Sequence, residues 1–420
     1  MQIDIAILGG GIAGLGAALR ARELNRSAVI FEARPSAGGL LDCFERDGFR
    51  FDHAVHLSFT KDARVRAIFD QTPCITHSAE ALCYENGRWL KHPVQNNLFP
   101  LEPEQKVKLI QSFLERPDFN NIESYADWLI NQYGHEIAQR YPMRYTRKYW
   151  GVDAKSLSTN WIGSRMRRAE ISEILYGSFS QQTPNDYYTG VMRYPRNGGY
   201  KAFIAPLISA SRIFLNHRVV RIDSARRILH FSNGTQAFYN QLVSTLPLPE
   251  MPALLGDAPR SAHEAASQLK ATAIDLISIA FDRVVTDKLW FYIYDEDILA
   301  ARAHSPSVKT PNNAPTRCSS LQFEIYSLNE LPPRDPDVLI ANTRASLRRL
   351  GIPSEASVLF IDHRRVKYGN VVFLRGMEDQ REIVLDLLRE RSILSCGRFG
   401  AWDYFWSDES LLSGYHSLSS

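Results

Sequence analysis

The chain opens on a short apolar strand, Ile3-Asp4-Ile5-Ala6-Ile7-Leu8, that runs directly into Gly9-Gly10-Gly11 and an Ala/Leu-rich helix. Gly9, Gly11 and Gly14 form a G-x-G-x-x-G turn at that junction, where glycine permits the tight turn, close approach of a pyrophosphate and close helix packing. The helix N-terminus then directs N–H groups and its dipole at a diphosphate. A second strand, Ser27 to Phe31, ends at Glu32, 18 residues after Gly14. A carboxylate there can accept hydrogen bonds from the adenosine ribose hydroxyls and disfavours a 2′-phosphate. Together these features predict a dinucleotide-binding βαβ unit and an α/β, Rossmann-like fold class.

At 420 residues the chain exceeds what one hydrophobic core usually supports, so two domains, interleaved in sequence, are expected. Hydrophobic residues at 45% and charged residues at 23% are ordinary for a globular chain and argue against both disorder and a membrane-embedded fold. Lys plus Arg number 49 against 46 Asp plus Glu, too near balance for a general nucleic-acid or membrane surface. Cys43, Cys74, Cys83, Cys318 and Cys396 are scattered and lack ligand spacing, so neither a disulfide framework nor a zinc site is expected. The reducing cytoplasm is the simplest home. No apolar run reaches the roughly 20 residues that span a bilayer, and the apolar start lacks the basic flank of a signal peptide.

Along the chain, residues 1–85, 194–270 and 385–420 read as one discontinuous nucleotide-binding domain. Residues 86–193, with EPEQKVKLIQSFLERP and IESYADWLINQYGHEIAQRY, read as a helical substrate domain. Residues 271–384, with DLISIAF, LWFYIY and SLQFEIY, read as an antiparallel β-sheet substrate domain. Within it the Pro/Ser/Asn-rich PSVKTPNNAPT reads as a mobile loop.

Glu32-Ala33-Arg34 followed by Gly38-Gly39-Leu40 resembles the second-strand extension of FAD-dependent enzymes of the amine-oxidase type, which favours FAD over NAD. Further motifs extend the resemblance in order: Phe51-Asp52-His53-Ala54-Val55-His56, HPVQNN at 92–97, Tyr145-Thr146-Arg147-Lys148-Tyr149-Trp150-Gly151, Trp161 and Arg165 in WIGSR, YPRNGGYKAF, VKYGNVVF with Tyr368, and Gly397-Arg398-Phe399-Gly400-Ala401-Trp402-Asp403-Tyr404. In these segments the chain resembles the UDP-galactopyranose mutase family, a group within the amine oxidase and protoporphyrinogen oxidase-like flavoproteins. The resemblance implies a GR2-type FAD-binding domain with a helical insertion and an antiparallel-sheet substrate domain.

It also implies a chemistry. In that family the N5 of reduced flavin attacks the anomeric carbon of a nucleotide sugar, and the sugar returns to the nucleotide in the other ring form with no net oxidation. Such cofactor-centred covalent catalysis asks the protein to hold a diphosphate and steer a sugar, work suited to arginine and tyrosine. By resemblance the catalytic set is His56, Arg165, Arg302, Tyr368 and Tyr404, with the two arginines gripping the diphosphate. Thr146, Lys148 and Trp150 join Arg165, Arg302, Tyr368 and Tyr404 as substrate-binding candidates. The cofactor set is Gly9, Gly11, Gly14, Glu32, Ala33, Gly39, Leu40, Val219, Gly397, Arg398 and Asp408, with Arg398 as a cation near the flavin pyrimidine. NAD(P)H is a candidate transient reductant, and a nucleotide-sugar small molecule is the expected partner.

One departure stands nearest the flavin. The family usually carries Gly-Gly before the histidine, and this chain has Ala54-Val55, of which Val55 is β-branched and stiff. That departure leaves open a true oxidoreductase in which N5 accepts a hydride, and a flavin protein without catalysis is a third reading. Metal-dependent and triad hydrolysis have no supporting motif.

Overall fold

A computed structural model describes residues 2–78, 80–119, 121–163, 170–183, 190–353 and 356–418. Strand β1 (Gln2–Leu8), helix α1 (Ile12–Glu23) and β2 (Ala28–Phe31) form the βαβ unit, with β1 and β2 paired in parallel. A hairpin of β3 (Cys43–Arg46) and β4 (Phe49–Asp52) follows, then α2 (Ala63–Phe69), β5 (Cys74–Ser78) and a second hairpin, β6 (Leu82–Glu85) and β7 (Arg88–Lys91).

The helical stretch comprises α3 (Pro103–Leu114), α4 (Tyr125–Ala138), α5 (Arg144–Trp150) and α6 (Ile171–Phe179). Local chemistry sets their ends. Proline at the first position starts α3, a reciprocal Ser124–Asp127 capping box starts α4, and Gly151 in the left-handed region stops α5. A π-helical turn containing Pro142 joins α4 to α5.

The chain then returns through β8 (Val191–Pro195), α7 (Ala205–Ser209), β9 (Ile213–Phe214), β10 (Val219–Asp223), β11 (Ile228–Phe231) and β12 (Gln236–Ser244). Helices α8 (Met251–Leu255) and α9 (Arg260–Gln268) lead into β13 (Lys270–Phe281), β14 (Trp290–Ile293), β15 (Arg302–His304), α10 (Pro306–Lys309) and β16 (Ser319–Leu328). Last come α11 (Pro336–Arg349), β17 (Val358–Val372), α12 (Met377–Glu390), β18 (Ile393–Ser395), α13 (Gly397–Gly400) and α14 (Ser407–His416).

Two large sheets carry the fold. The first runs β10-β11-β12-β1-β2-β9, with β18 added in parallel against β12. β1 is apolar and almost wholly buried because helices cover a parallel sheet on both faces. On one of them α14 lies against the start of α1 so closely that a Cβ on Gly414 would sit 1.8 Å from the Ala13 carbonyl oxygen. The second sheet runs β17-β13-β16-β15-β14-β6-β7 and is antiparallel except at β14–β6. Its inner strand β13 is buried along nearly its full length, whereas edge strand β17 carries Arg364, Arg365 and Lys367, charges that discourage further pairing.

Two sequence expectations need correcting. The β6–β7 hairpin belongs to the second sheet, so the division at residue 85 cuts through it. The segment read as a mobile loop is packed: α10 is capped by Ser305, and Lys309, Thr310 and Asn313 are fully buried. Its polar residues are consumed internally, with Lys309 Nζ donating to buried Asp52 at 3.1 Å and Asn313 Nδ2 to the Pro306 carbonyl at 3.1 Å. Among the described residues no helix is long and apolar enough to cross a membrane.

Candidate active site

The βαβ unit, the C-terminal segment and the polar face of the second sheet enclose one cavity of about 650 Å³. At its nucleotide end lie Gly9, Gly11, Ile12 and Ala13, and the N-terminus of α1 has no capping side chain. The first-turn N–H groups are therefore directed at the cavity, as a diphosphate requires. Gly14 does not border the cavity. A Cβ there would stand 2.0 Å from the Gly9 carbonyl oxygen, so its place is set by packing of the helix on the turn.

Glu32, Ala33, Gly39 and Leu40 border the same end. The Glu32 carboxylate accepts from the Gly10 N–H at 2.7 Å and from the Arg34 N–H at 2.9 Å, which fixes it beside the turn with acceptor capacity left for ribose hydroxyls. Val219 falls outside the cavity because it packs against the core, and its neighbour Arg218 borders the cavity instead. Gly397, Arg398 and Asp408 close the opposite side. Arg398 Nε donates to the Phe405 carbonyl at 2.6 Å and its guanidinium lies 5.9 Å from the Tyr404 ring centre. These groups fit a dinucleotide: a cradle of main-chain donors, a carboxylate for the ribose, and a fixed cation further along.

The loop after β4 forms the next wall. His56 packs 5.2 Å from the Tyr200 ring, and its Nδ1 is 3.2 Å from the Ala54 carbonyl oxygen. Burial pushes the His56 pKa down to about 4, so the imidazole is neutral at neutral pH. Ala54 has φ +82°, a left-handed backbone that a glycine would take without strain.

Across the cavity, Arg302 on β15 pairs with the buried carboxylate of Glu324 on β16, donates to the Tyr326 hydroxyl at 2.9 Å and stands 5.3 Å from the Tyr149 ring centre. Burial opposes the Arg302 charge, and Glu324 with the surrounding hydroxyls more than restores it, raising the pKa. Tyr368 on β17 donates to Glu250 at 2.8 Å, and Glu250 also accepts from Lys367 at 2.6 Å. Desolvation, followed by the Glu250 charge, raises the Tyr368 pKa and keeps the phenol protonated. Tyr404 borders the cavity and packs against Trp150 at 5.9 Å and Trp161 at 5.8 Å.

Thus His56, Arg302, Tyr368 and Tyr404 border one cavity, while Arg165 lies outside the described residues. Thr146, Lys148 and Trp150 do not border it. The Thr146 hydroxyl donates to the Pro142 carbonyl at 2.7 Å, and Trp150 is buried among Trp161, Phe373 and Tyr404. Lys148 Nζ donates to the carbonyls of Ile293 at 2.7 Å and Asp295 at 2.8 Å. Residues two apart share a strand face but not a helix face, and this segment is helical. Tyr149 borders the cavity, with Tyr145, four residues before it, stacked on it at 5.5 Å.

Glu324, Tyr326 and Glu250 were not anticipated. The signal for the first two lay in SLQFEIYSL, where Gln322, Glu324 and Tyr326 recur at every second position of a strand too apolar to be exposed. Glu250 sits in a turn after β12 and carries no local pattern.

A family profile described as NAD(P)-binding Rossmann-like domain matches residues 7–72. The 4,4'-diapophytoene desaturase (4,4'-diaponeurosporene-forming) of Staphylococcus haemolyticus (strain JCSC1435) is 34% identical over 70 residues, which is 17% of this chain and 14% of the desaturase. The chain thus matches only a small part of that curated relative's length. A crystal structure of reduced UDP-galactopyranose mutase superposes with a TM-score of 0.91 at 24% identity, over 99% of this chain and 94% of the other. An Exiguobacterium sp. 255-15 protein classed provisionally as a protoporphyrinogen oxidase superposes with a TM-score of 0.74 at 17% identity, over 100% and 99% of the two chains. The chain therefore has the fold of UDP-galactopyranose mutase, carried on an N-terminal NAD(P)-binding Rossmann-like domain.

Proposed function

We propose that the protein is an FAD-dependent mutase that interconverts the pyranose and furanose forms of UDP-galactose or a related UDP- or dTDP-hexose, serving cell-surface glycan assembly in the cytoplasm. The observation that carries this reading is the meeting, in one cavity, of the Gly9–Ala13 cradle and Glu32 with a wall of Arg302, Tyr149, Tyr326, Tyr368 and Tyr404. When bound and reduced, the flavin supplies N5 as the nucleophile toward the anomeric carbon.

The chain's own residues bind and orient. Arg302 presents a guanidinium that suits paired diphosphate oxygens, the Tyr404 hydroxyl can donate to the same group, and Tyr368 can do so by turning its proton away from Glu250. The stacked Tyr145 and Tyr149 rings exclude water from the sugar side. Arg398 would place a fixed cation beside a bound flavin and so favour its anionic form. Neutral His56, whose Nδ1–H is turned to the Ala54 carbonyl, can offer its Nε2 lone pair to a ligand. NAD(P)H is the proposed transient reductant.

A second reading, an FAD-dependent oxidoreductase of the amine oxidase or protoporphyrinogen oxidase type, is favoured by a specific observation. The Arg302 charge is already met by Glu324, and the Tyr368 hydroxyl is engaged by Glu250, which lessens the grip on an anion. Incubating dithionite-reduced protein with a panel of UDP- and dTDP-hexoses decides between them. The mutase yields a furanose product by chromatography without consuming reductant. Absence of any furanose, together with oxygen uptake by the oxidised protein on an amine or porphyrinogen, overturns it.

A further inference from the structure

Glu324 is fully buried and lies opposite Arg302 in the β15–β16 register. Its two oxygens serve different structures. Oε2 takes the Arg302 Nε and the Tyr326 hydroxyl, on the cavity wall. Oε1 accepts from the Val55 N–H at 2.6 Å, in the loop that carries His56.

That loop needs holding. Ala54 sits at φ +82°, a conformation that an L-residue holds only where the surroundings impose it. On the upstream side the imposition is rigid: the Ala54 N–H donates to the Asp52 carbonyl at 3.0 Å, and the Asp52 carboxylate is fixed by Tyr194, Lys309 and the Tyr200 N–H. On the downstream side the bond from the Val55 N–H goes to Glu324, and to the same carboxylate that neutralises Arg302.

We propose that Glu324 is a positioning residue that couples occupation of Arg302 by an anionic ligand to the backbone of the Ala54–His56 loop. The proposal rests on the reading of Arg302 as the diphosphate-binding residue. An anion that draws the guanidinium toward itself leaves more of the carboxylate's charge for the Val55 N–H and tightens the loop. A loop movement that withdraws that N–H returns the carboxylate to Arg302 and weakens the anion. Linkage makes the two effects equal in free energy.

Two variants separate this from a purely structural role. In Glu324→Gln the amide has one acceptor oxygen, so whichever way it turns its NH2 meets a donor, Arg302 on one side or the Val55 N–H on the other. In Glu324→Asp the charge and the fold are kept, but the side chain is shorter by about 1.5 Å and cannot span both partners. UDP is titrated into the flavin-loaded proteins, with affinity read by calorimetry and the loop by the flavin absorbance bands.

The wild type should bind UDP and shift the flavin bands. Glu324→Asp should bind within about twofold of wild type and lose the shift, and Glu324→Gln, with Arg302 no longer neutralised, should bind about fivefold tighter without a shift. A band shift that survives in Glu324→Asp overturns the coupling, and so does weaker UDP binding by a folded Glu324→Gln. If Glu324→Gln does not fold, the Asp variant decides alone. Failure of the wild type to bind UDP sinks the mutase reading instead. The same titration with inorganic pyrophosphate then judges the coupling: a shift in wild type absent from Glu324→Asp supports it, and no shift in wild type overturns it.

Discussion

Arg302 and Glu324 show how much of this site's energy is held in one buried pair. Replacing Arg302 with alanine removes the proposed contact to diphosphate and strands a carboxylate that is fully buried. Breaking such a pair costs about 3–5 kcal/mol, so Arg302→Ala should lower stability in urea by that order and abolish detectable UDP binding by calorimetry. A loss below about 1 kcal/mol would mean that Glu324 finds another counter-charge. Gly14 makes a prediction of a different kind. A Cβ at 2.0 Å from the Gly9 carbonyl oxygen forces α1 off the turn, so Gly14→Ala should purify with little flavin and a lower melting temperature. Flavin content equal to wild type, read from the ratio of visible to ultraviolet absorbance, would contradict that account.

Helix α5 shows what a motif can and cannot carry. The segment at 145–151 is legible as part of a cavity wall, yet the residues singled out in it are two apart, and the helix turns those away from the cavity while Tyr149 faces it. A paired test follows: Lys148→Met should lower the melting temperature, since two carbonyls lose their donor at about 1–3 kcal/mol in all, and leave KM for the proposed nucleotide-sugar substrate unchanged. Tyr149→Ala should raise KM several-fold, and equal kinetic effects from both would refute this division. The βαβ unit was readable because its signal is local, a strand, three glycines and an acid within one turn of chain. The pairing of Arg302 with Glu324 was not, because register between β15 and β16 is fixed by a loop that itself looked mobile and proves to be packed on Asp52. Polar residues that are satisfied internally read, in sequence, like polar residues facing water.

Taken as a whole, the molecule keeps several imidazoles neutral by burying them. Burial lowers the pKa of His56 to about 4 and of His92 to about 3, and sends His304 well below its usual value. Because the folded pKa values are depressed, the unfolded chain binds these protons first. Stability from them is complete above the ordinary histidine pKa of about 6.5 and is lost as pH falls through the range toward 4, on the order of 1 kcal/mol per histidine per pH unit. Urea midpoints at pH 7.5, 6 and 5 should decline accordingly, and a flat profile would show that these rings reach solvent. The docking of α14 on the start of α1 has a consequence in time. While the ribosome is still making the chain, the cradle at Gly9–Ala13 stands without the residues around Gly397, Arg398 and Asp408 that complete its far wall. Retention of a flavin then waits until this segment has been made, and a chain truncated immediately before β18 carries the nucleotide motif but is expected to emerge colourless.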